Sequence, residues 1–320
     1  MDALLIMLRN VILFVALALP GFLLVKAGQL KQEQSGALSK LLMYVGMPFL
    51  ILSGTINNLS FNKELLITVA VVALIGILYT FVMFFASKPL TGTEKDAKTR
   101  GMLRFCAVFS NNGFLGIPLA MAVFGANSPV LTVLIILNII TNILMYTLGI
   151  YLVSGDKSRI SLKKEFLNPF LISFVIGIVL NLLNVKAYLP EVATYSTHFS
   201  NLVTPISMTI LGMKMGAVKL SSLFRSPKTF YVSALKLLVF PLVIVGALFA
   251  TKALFPNGVV NADLILGVFV AFAMPTAGLA STFADGFEGD TENAVALTLG
   301  TTLLSIITIP TLYWLLNLCL

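Results

Sequence analysis

The feature that most limits how this chain can fold is a succession of long apolar runs. Hydrophobic residues make up 58% of the chain and charged residues 11%, whereas about a quarter of a soluble protein is charged. Too little polar surface exists to cover a water-soluble particle, so lipid must surround most of the chain. A membrane-spanning helix needs about 20 mostly apolar residues. The runs predict an all-α membrane protein with ten spans, at 8–27, 38–57, 65–87, 101–124, 129–153, 167–184, 197–214, 229–251, 263–284 and 293–318.

Several classes of function find no support in the sequence. The net charge is +8, but the basic residues are spread over short loops and form no patch for a nucleic-acid partner. Cys106 and Cys319 have neither a disulfide framework nor a metal-ligand spacing. Since no H-E-x-x-H or G-x-S-x-G motif occurs either, we expect no enzyme activity, no metal site and no cofactor. The first apolar run is interpreted as a span because residues 1–8 lack a basic signal-peptide start.

The distribution of basic residues predicts the orientation of the spans. Of the 21 lysines and arginines, sixteen lie on the side reached after spans 1, 3, 5 and 7: Lys26, Lys31, Lys40, Lys88, Lys95, Lys98, Arg100, Arg104, Lys157, Arg159, Lys163, Lys164, Lys214, Lys219, Arg225 and Lys228. The opposite side holds Arg9, Lys63, Lys186 and Lys252. Because cytoplasmic loops are enriched in basic residues, we predict a multi-pass protein of the cell membrane with both termini outside.

The two halves of the chain show weak internal similarity. Pro48 matches Pro205 at an offset of 157 residues, and Gly113 matches Gly278 at an offset of 165; a rival register pairs Pro118 with Pro275. An odd number of spans per half inverts the second half relative to the first, an arrangement typical of secondary transporters. We therefore predict a first five-helix repeat at 1–153, a short cytoplasmic linker at 154–166 and a second inverted repeat at 167–320.

Spans 4 and 9 carry helix-breaking residues at mid-membrane depth. Backbone interruptions survive in a bilayer only where protein or a cavity surrounds them. Two interruptions at repeat-equivalent positions would aim free N–H groups and partial positive charge at a shared point, which suits an anion. The alternative is that Gly and Pro merely kink or pack these helices. The candidate substrate-binding residues from the two spans are Ser110, Asn111, Asn112, Gly113, Pro275, Thr276, Gly278 and Ser281.

Other polar residues within the spans are weaker candidates. Span 5 contributes Asn138, Thr141, Asn142 and Tyr146, and spans 2 and 7 contribute Ser53 and Thr209. Each of these also fits a role in interhelical packing.

Two basic residues within the spans are candidates for gating or charge steering. Lys236 in span 8 is expected either to snorkel to the interface or to attract an anion. His198, near the outer end of span 7, is either a pH sensor or a tolerated surface residue. No Asp or Glu lies near the centre of a span, so the carboxylate relay of many proton pumps is not expected.

Three motifs together resemble the auxin efflux carrier family. They are MPFLILSGTI at 47–56, NNGFLGIPL at 111–119 and PISMTILGMKMG at 205–216. The resemblance covers essentially the whole chain and implies a fold like that of NhaA and the bile-acid symporters, in which broken spans 4 and 9 cross. It assigns spans 1, 2, 6 and 7 to a scaffold and spans 3–5 and 8–10 to a transport domain.

The resemblance also implies what the site does. Asn111 matches the asparagine after the first crossover, and Pro275 matches the second crossover proline, whereas Ser110 stands where the plant members have proline. The implied function is elevator-type transport of small organic anions, either dicarboxylates such as malate or malonate or other carboxylates such as auxin-like acids.

The alternative function is a sodium-coupled symporter of amphipathic anions, built like the bile-acid carriers. Its sodium ligands would be Asn112, Thr276 and Ser281. Coupling to protons or sodium, and assembly as a homodimer, are both compatible with the sequence.

Overall fold

A computed structural model describes residues 9, 12–13, 16–58, 63–125, 128–160, 169–217, 227–256 and 258–320. Within these residues the chain is helical, and the strand-like pairing is limited to one isolated β-bridge. The helices are numbered after the predicted spans: α1 (Leu19–Lys26), α2 (Ser35–Leu41, Leu42–Gly46 and Met47–Asn58), α3 (Lys63–Leu90), α4a (Ala97–Val108), α4b (Asn112–Gly116 and Ile117–Phe124), α5 (Pro129–Leu144, Met145–Gly149 and Ile150–Ser154), α6 (Pro169–Leu182), α7a (Pro190–Ser200), α7b (Val203–Ala217), α8 (Pro227–Ala234, Leu235–Val239 and Phe240–Leu254), α9a (Ala262–Ala273), α9b (Ala280–Gly286) and α10 (Thr291–Cys319).

The lengths and apolar character of these helices confirm the class of all-α membrane protein. Among the described residues, five helices are long and apolar enough to cross a bilayer: Gln32–Asn57, Leu66–Leu90, Pro129–Ser154, Pro227–Leu254 and Thr291–Cys319. Shorter apolar helices occupy Asn112–Phe124, Pro169–Leu182 and Ala262–Ala273. Two of these three belong to spans 4 and 9, which are interrupted and so contribute no single long helix.

Helices α1 and α7b pack backbone against backbone through glycines. A Cβ atom added to Gly21 would lie 2.1 Å from the carbonyl oxygen of Thr209, and one added to Gly212 would lie 1.8 Å from that of Ala18. Helix α2 packs on α6 and α7a, and Gly177 of α6 lies against Thr55. Helices α1, α2, α6 and α7 thus form one group of mutually packed helices, which we call the first group.

The remaining helices pack chiefly with one another and are called the second group. Helix α5 contacts α3 and α9a, α8 contacts α9a and α10, and α4a contacts α5. Glycines again permit close approach: a Cβ atom on Gly101 of α4a would lie 2.1 Å from the carbonyl oxygen of Leu152, and one on Gly267 of α9a would lie 2.6 Å from Val133. These contacts hold the two interrupted helices, α4 and α9, side by side.

The start of α10 is tied to the start of α4a by one carboxylate. Asp290 caps α10 by accepting a hydrogen bond from the backbone N–H of Asn293 at 2.9 Å, and it accepts another from the hydroxyl of Thr99 at 2.6 Å. Burial raises the pKa of the Asp290 carboxyl, but the hydrogen bonds from Asn293 and Thr99 outweigh burial, so its pKa lies below the usual value.

Candidate functional site

The two interrupted helices meet at their interruptions. Ser110 and Thr276 form an antiparallel β-bridge. The backbone N–H of Asn111 donates to the carbonyl of Pro275 at 2.7 Å, and the N–H of Ala277 donates to the carbonyl of Phe109 at 3.0 Å. Each interruption therefore provides hydrogen-bond partners for part of the exposed backbone of the other. Backbone polar groups at membrane depth need such partners within the protein, because lipid provides none.

The crossing brings the two interruptions into direct backbone contact, with Ser110 opposite Thr276. The interruptions were expected to offer free N–H groups to a ligand, and the crossing itself uses several of them. The N–H groups of Asn111 and Ala277 are used in the pairing, and the N–H of Thr276 donates to the hydroxyl of Thr301 at 3.1 Å.

Local sequence explains why both helices stop at the crossing. Pro275 has no N–H to continue α9a, and the preceding Met274 adopts the extended conformation that a following proline favours (φ −63°, ψ 150°). Helix α4 has no proline at this point, yet Phe109 is also extended (φ −91°, ψ 129°). The run from Ser110 to Gly113 disfavours a continuous helix here, and Lys236 contacts this interruption from a neighbouring helix.

Lys236 reaches the first interruption from α8. Its side chain is fully buried, and its ammonium donates to the hydroxyl of Ser110 and, at 3.4 Å, to the carbonyl of Val108. Val108 ends α4a, where unpaired carbonyls carry partial negative charge that a cation stabilises. The snorkelling interpretation of Lys236 is therefore wrong, because its ammonium points into the crossing and not toward the interface.

A polar network fixes the first turn of α4b on α5. The amide of Asn112 donates to the hydroxyl of Thr141 at 2.9 Å and accepts from the amide of Asn138 at 2.9 Å. The amide of Asn142 donates to the carbonyl of Asn138 at 2.7 Å. The side-chain oxygen of Asn138 is buried with no hydrogen-bond partner in the described part of the chain, which makes it an available acceptor. Asn138 and Thr141 therefore position α4b, whereas Asn142 bonds within its own helix. Asn138 and Asn142 also line the first cavity described below.

Two neighbouring cavities open at the crossing. The first cavity, of about 300 Å³, is lined by Met47, Ser110, Asn111, Asn112, Gly113, Phe114, Asn138, Asn142, Met145, Phe170, Ala277, Gly278 and Leu279. The second cavity, of about 560 Å³, is lined by Ser39, Leu42, Asn111, Phe114, Leu115, Ser207, Met208, Ile210, Leu211, Lys214, Gly278, Leu279, Thr282, Thr298 and Thr302. No carboxylate lines either cavity among the residues that the structure describes, so their polar groups favour an anionic or neutral ligand.

Asn111 is the polar side chain that the two cavities share. Its side-chain amide makes no hydrogen bond within the described ranges, although its backbone caps α4b by accepting from the N–H groups of Leu115 and Gly116 at 3.2 and 3.1 Å. A Cβ atom on Gly278 would lie 3.3 Å from the Asn111 amide nitrogen. The absence of a side chain at Gly278 therefore leaves the amide of Asn111 accessible to a ligand.

The remaining candidates from α9 are already engaged. Thr276 is buried, and its hydroxyl donates to the carbonyl of Cys106 at 2.9 Å. The hydroxyl of Ser281 lies 3.3 Å from the ammonium of Lys214. Neither residue lines a cavity with Asn112. The three sodium ligands expected for the alternative function are therefore not brought together, and a cation contacts one of them.

Four candidates lie away from both cavities. Ser53 bonds Thr197 of α7a at 3.2 Å, and the hydroxyl of Thr209 donates to the carbonyl of Pro205 in its own helix at 2.7 Å. His198 is exposed at the end of α7a. The ring of Tyr146 packs on Phe283 at 5.0 Å between centroids. The structure places these residues in packing or surface positions, so it does not bring them to the site.

Lys214 is a site residue that the sequence does not single out. By sequence it counts among the basic residues that determine orientation, but it lines the second cavity and contacts the α9 interruption through the carbonyl of Gly278 at 3.3 Å. The available signal is its place in the PISMTILGMKMG motif, inside an apolar helix rather than after it. The crossing is thus approached by two cations, Lys236 from α8 and Lys214 from α7b.

The amino-acid sequence matches a family of membrane proteins along nearly all of its length. The model of the membrane transport protein family matches residues 5–166 and 157–313. An uncharacterized transporter of Methanothermobacter thermautotrophicus is 25% identical over 305 residues, which are 94% of this chain and 96% of the relative. An uncharacterized transporter of Methanocaldococcus jannaschii is 26% identical over 211 residues, which are 64% of this chain and 68% of the relative.

Proposed function

The chain belongs to the membrane transport protein family, which includes the auxin efflux carriers, and we propose that it is a secondary carrier of small organic anions. The proposed substrates are dicarboxylates such as malate or malonate, or other carboxylates such as auxin-like acids. Family membership agrees with the expectation that the chain is not an enzyme. Its orientation, with both termini outside the cell membrane, is part of the proposal and is supported by the distribution of basic residues.

The observation that carries this proposal is the side-chain amide of Asn111, which lies between two cavities at the crossing and has no hydrogen-bond partner among the described residues. An amide donor binds a carboxylate without adding a permanent charge to the site. It also costs little when the site is empty, because water in the cavity can replace the ligand. Binding beside paired helix interruptions is the arrangement by which many secondary transporters hold their substrates near the membrane centre.

The charges around the crossing favour an anion over a cation. Lys236 and Lys214 contact opposite interruptions, through Ser110 and Gly278 respectively. Neither ammonium pairs with a carboxylate in the described part of the chain, where the ion pairs involve only other residues. When protonated, two amino groups in a low-dielectric region create a positive potential. A carboxylate entering either cavity would meet that potential.

The division of the helices into two packed groups supports elevator-type movement. Backbone contacts at Gly21 and Gly212 make α1 and α7b a stiff pair, and this pair belongs to the first group. The interrupted helices α4 and α9 belong to the second group, to which the proposal assigns the transport domain. Both cavities are lined by residues of both groups, so sliding one group along the other would change access to them.

The sodium-coupled alternative keeps one supporting observation, the amphipathic lining of the second cavity. Apolar side chains such as Leu42, Phe114 and Met208 form much of that lining, which would suit an anion with an apolar body. The separation of Asn112, Thr276 and Ser281 weighs against the expected sodium site. Sodium coupling is therefore an outcome that the transport experiment distinguishes, and it is not part of the proposal.

The test is transport by the purified protein in proteoliposomes. Counterflow of radiolabelled malate, malonate and indole-3-acetate would be measured with and without a sodium gradient or a pH gradient. We expect saturable counterflow of at least one of these carboxylates and none of a matched cationic or neutral solute. Counterflow of a cation, or of none of the acids above protein-free liposomes, would overturn the assignment to organic anions.

A further inference from the structure

Lys214 occupies an unusual place on α7b. Gly212 and Gly216, four residues apart on one face of this helix, lie against α1. Lys214 falls between them in sequence and so lies on the opposite face, where its half-buried side chain extends toward the second group. Because α7b is packed backbone to backbone on α1, the Cα atom of Lys214 is held in place. Its ammonium reaches across the boundary between the two groups.

The contacts of the Lys214 ammonium are weak for a partly buried cation. It lies 3.3 Å from the carbonyl oxygen of Gly278 and 3.3 Å from the hydroxyl of Ser281, both beyond the usual distance for such hydrogen bonds. It forms no ion pair among the described residues, although Asp285 lies one turn further along α9b. A cation held by neutral acceptors at long range would bind an anion more strongly than its present partners.

The second cavity gives such an anion a place beside Lys214. Lys214 lines it together with Asn111, and hydroxyl groups of Ser207 and Thr298 stand among the lining residues. One ammonium and one free amide on the same cavity supply the charge and the directed donor that a carboxylate group requires, while the apolar lining accommodates the rest of the molecule.

We propose that Lys214 binds the carboxylate of the transported anion in the second cavity, and that this anion displaces the ammonium from Gly278 and Ser281. The inference rests on the proposed function and adds to it a residue and a coupling step. In the ligand-free state the ammonium connects α7b of the first group to α9b of the second. When a carboxylate binds the ammonium, the contacts with Gly278 and Ser281 are broken and the connection between the two groups is lost. Ligand binding and freedom of the two groups to move are thereby linked through one side chain.

The first test is binding of radiolabelled malate and indole-3-acetate to the full-length protein in nanodiscs. Lys214→Met keeps the length of the side chain and removes its charge, and it is expected to weaken binding about tenfold or more, as loss of a charge-assisted hydrogen bond does. Lys214→Arg should recover most of the affinity, because a guanidinium also pairs with carboxylates. Lys40→Met is the matched control, since Lys40 is exposed on α2 and lines neither cavity.

The second test measures, in the absence of ligand, the connection that Lys214 makes between α7b and α9b. Backbone hydrogen exchange in α9b is expected to be faster in Lys214→Met than in the wild type and unchanged in Lys40→Met. If the wild type binds a probe and Lys214→Met binds it equally well, the inference is overturned while the proposed function stands. If the wild type neither binds any of the acids nor transports them in the counterflow assay, the proposed function fails. The carboxylate-binding role of Lys214 then fails with it. Equal exchange in wild type and Lys214→Met would overturn the connecting role.

Discussion

The ammonium of Lys236 on α8 donates a hydrogen bond to the hydroxyl of Ser110 at the interruption of α4. This contact places a fully buried cation beside a residue that lines the first cavity. A buried charge is costly unless its surroundings compensate for it. The compensation comes from the hydroxyl of Ser110 and the carbonyl at the end of α4a, and a bound anion would add to it.

Replacing Lys236 with Met is expected to reduce anion uptake about tenfold, because the positive potential at the crossing is lost. The protein should still fold, since an apolar side chain of similar length suits a buried position. Uptake in proteoliposomes and monodispersity on gel filtration measure the two effects. Lys252→Met, on the same helix but away from the crossing, should transport normally. A well-folded Lys236→Met protein with wild-type uptake would limit Lys236 to packing.

Asn111→Ala is expected to lower uptake about ten- to a hundredfold, which corresponds to losing a hydrogen bond to a charged ligand. Stability should change little, because the amide of Asn111 has no partner in the described protein and its backbone contacts remain. Asn317→Ala removes an amide that bonds only its own helix and serves as the control. Unchanged uptake by Asn111→Ala would remove the residue on which the proposed function depends.

Gly113→Ala is expected to destabilise the protein by about 1–3 kcal/mol, the usual cost of overpacking, and to impair uptake. The added methyl would lie 2.7 Å from the amide nitrogen of Asn138 and 3.2 Å from Met47, so it would push Asn138 away from Asn112. Gly246→Ala is the matched control, because a Cβ atom there meets nothing within 4 Å. That variant should gain about 0.5–1 kcal/mol from reduced chain entropy. Thermal unfolding in detergent distinguishes the two variants, and equal melting temperatures would contradict the packing described for Gly113.

Stability is expected to fall in acid partly through Asp290. Its pKa is depressed in the folded protein, so its stabilising contribution is present above the unfolded pKa of about 4 and is lost as pH falls through the lower folded value. Because the carboxyl is partly exposed to water, the contribution is on the order of 0.5–1 kcal/mol.

Asp290→Asn tests this contribution by thermal unfolding across that pH range. The variant should melt below the wild type at neutral pH and approach it in acid. Asp263→Asn is a control, because Asp263 lies in the first turn of α9a and caps neither α10 nor α4a. A constant difference between wild type and Asp290→Asn at every pH would show that the charge is not involved.

The positions of the interruptions were predictable from the sequence. Pro275 and the run from Ser110 to Gly113 disfavour continuous helix by local backbone chemistry alone, and the structure interrupts α4 and α9 at those places. The pairing of Ser110 with Thr276 was not predictable, because the register of a bridge depends on which N–H and carbonyl groups face each other.

The directions of side chains were not predictable. The sequence left Ser53 and Thr209 as candidates either for the site or for packing, and each bonds a neighbouring hydroxyl or carbonyl. Lys236 points inward and Lys214 crosses between groups. Whether a lysine reaches water or another helix depends on packing between distant segments. That packing cannot be read directly from a single sequence.

Main-chain atoms alone form the β-bridge that joins α4 to α9. Substitutions at Asn111 or Gly278 therefore leave the hydrogen bonds that hold this joint intact. In a carrier built this way, changes in a few side chains can alter which substrate is bound, while the main-chain hydrogen bonds that join the half-helices stay the same.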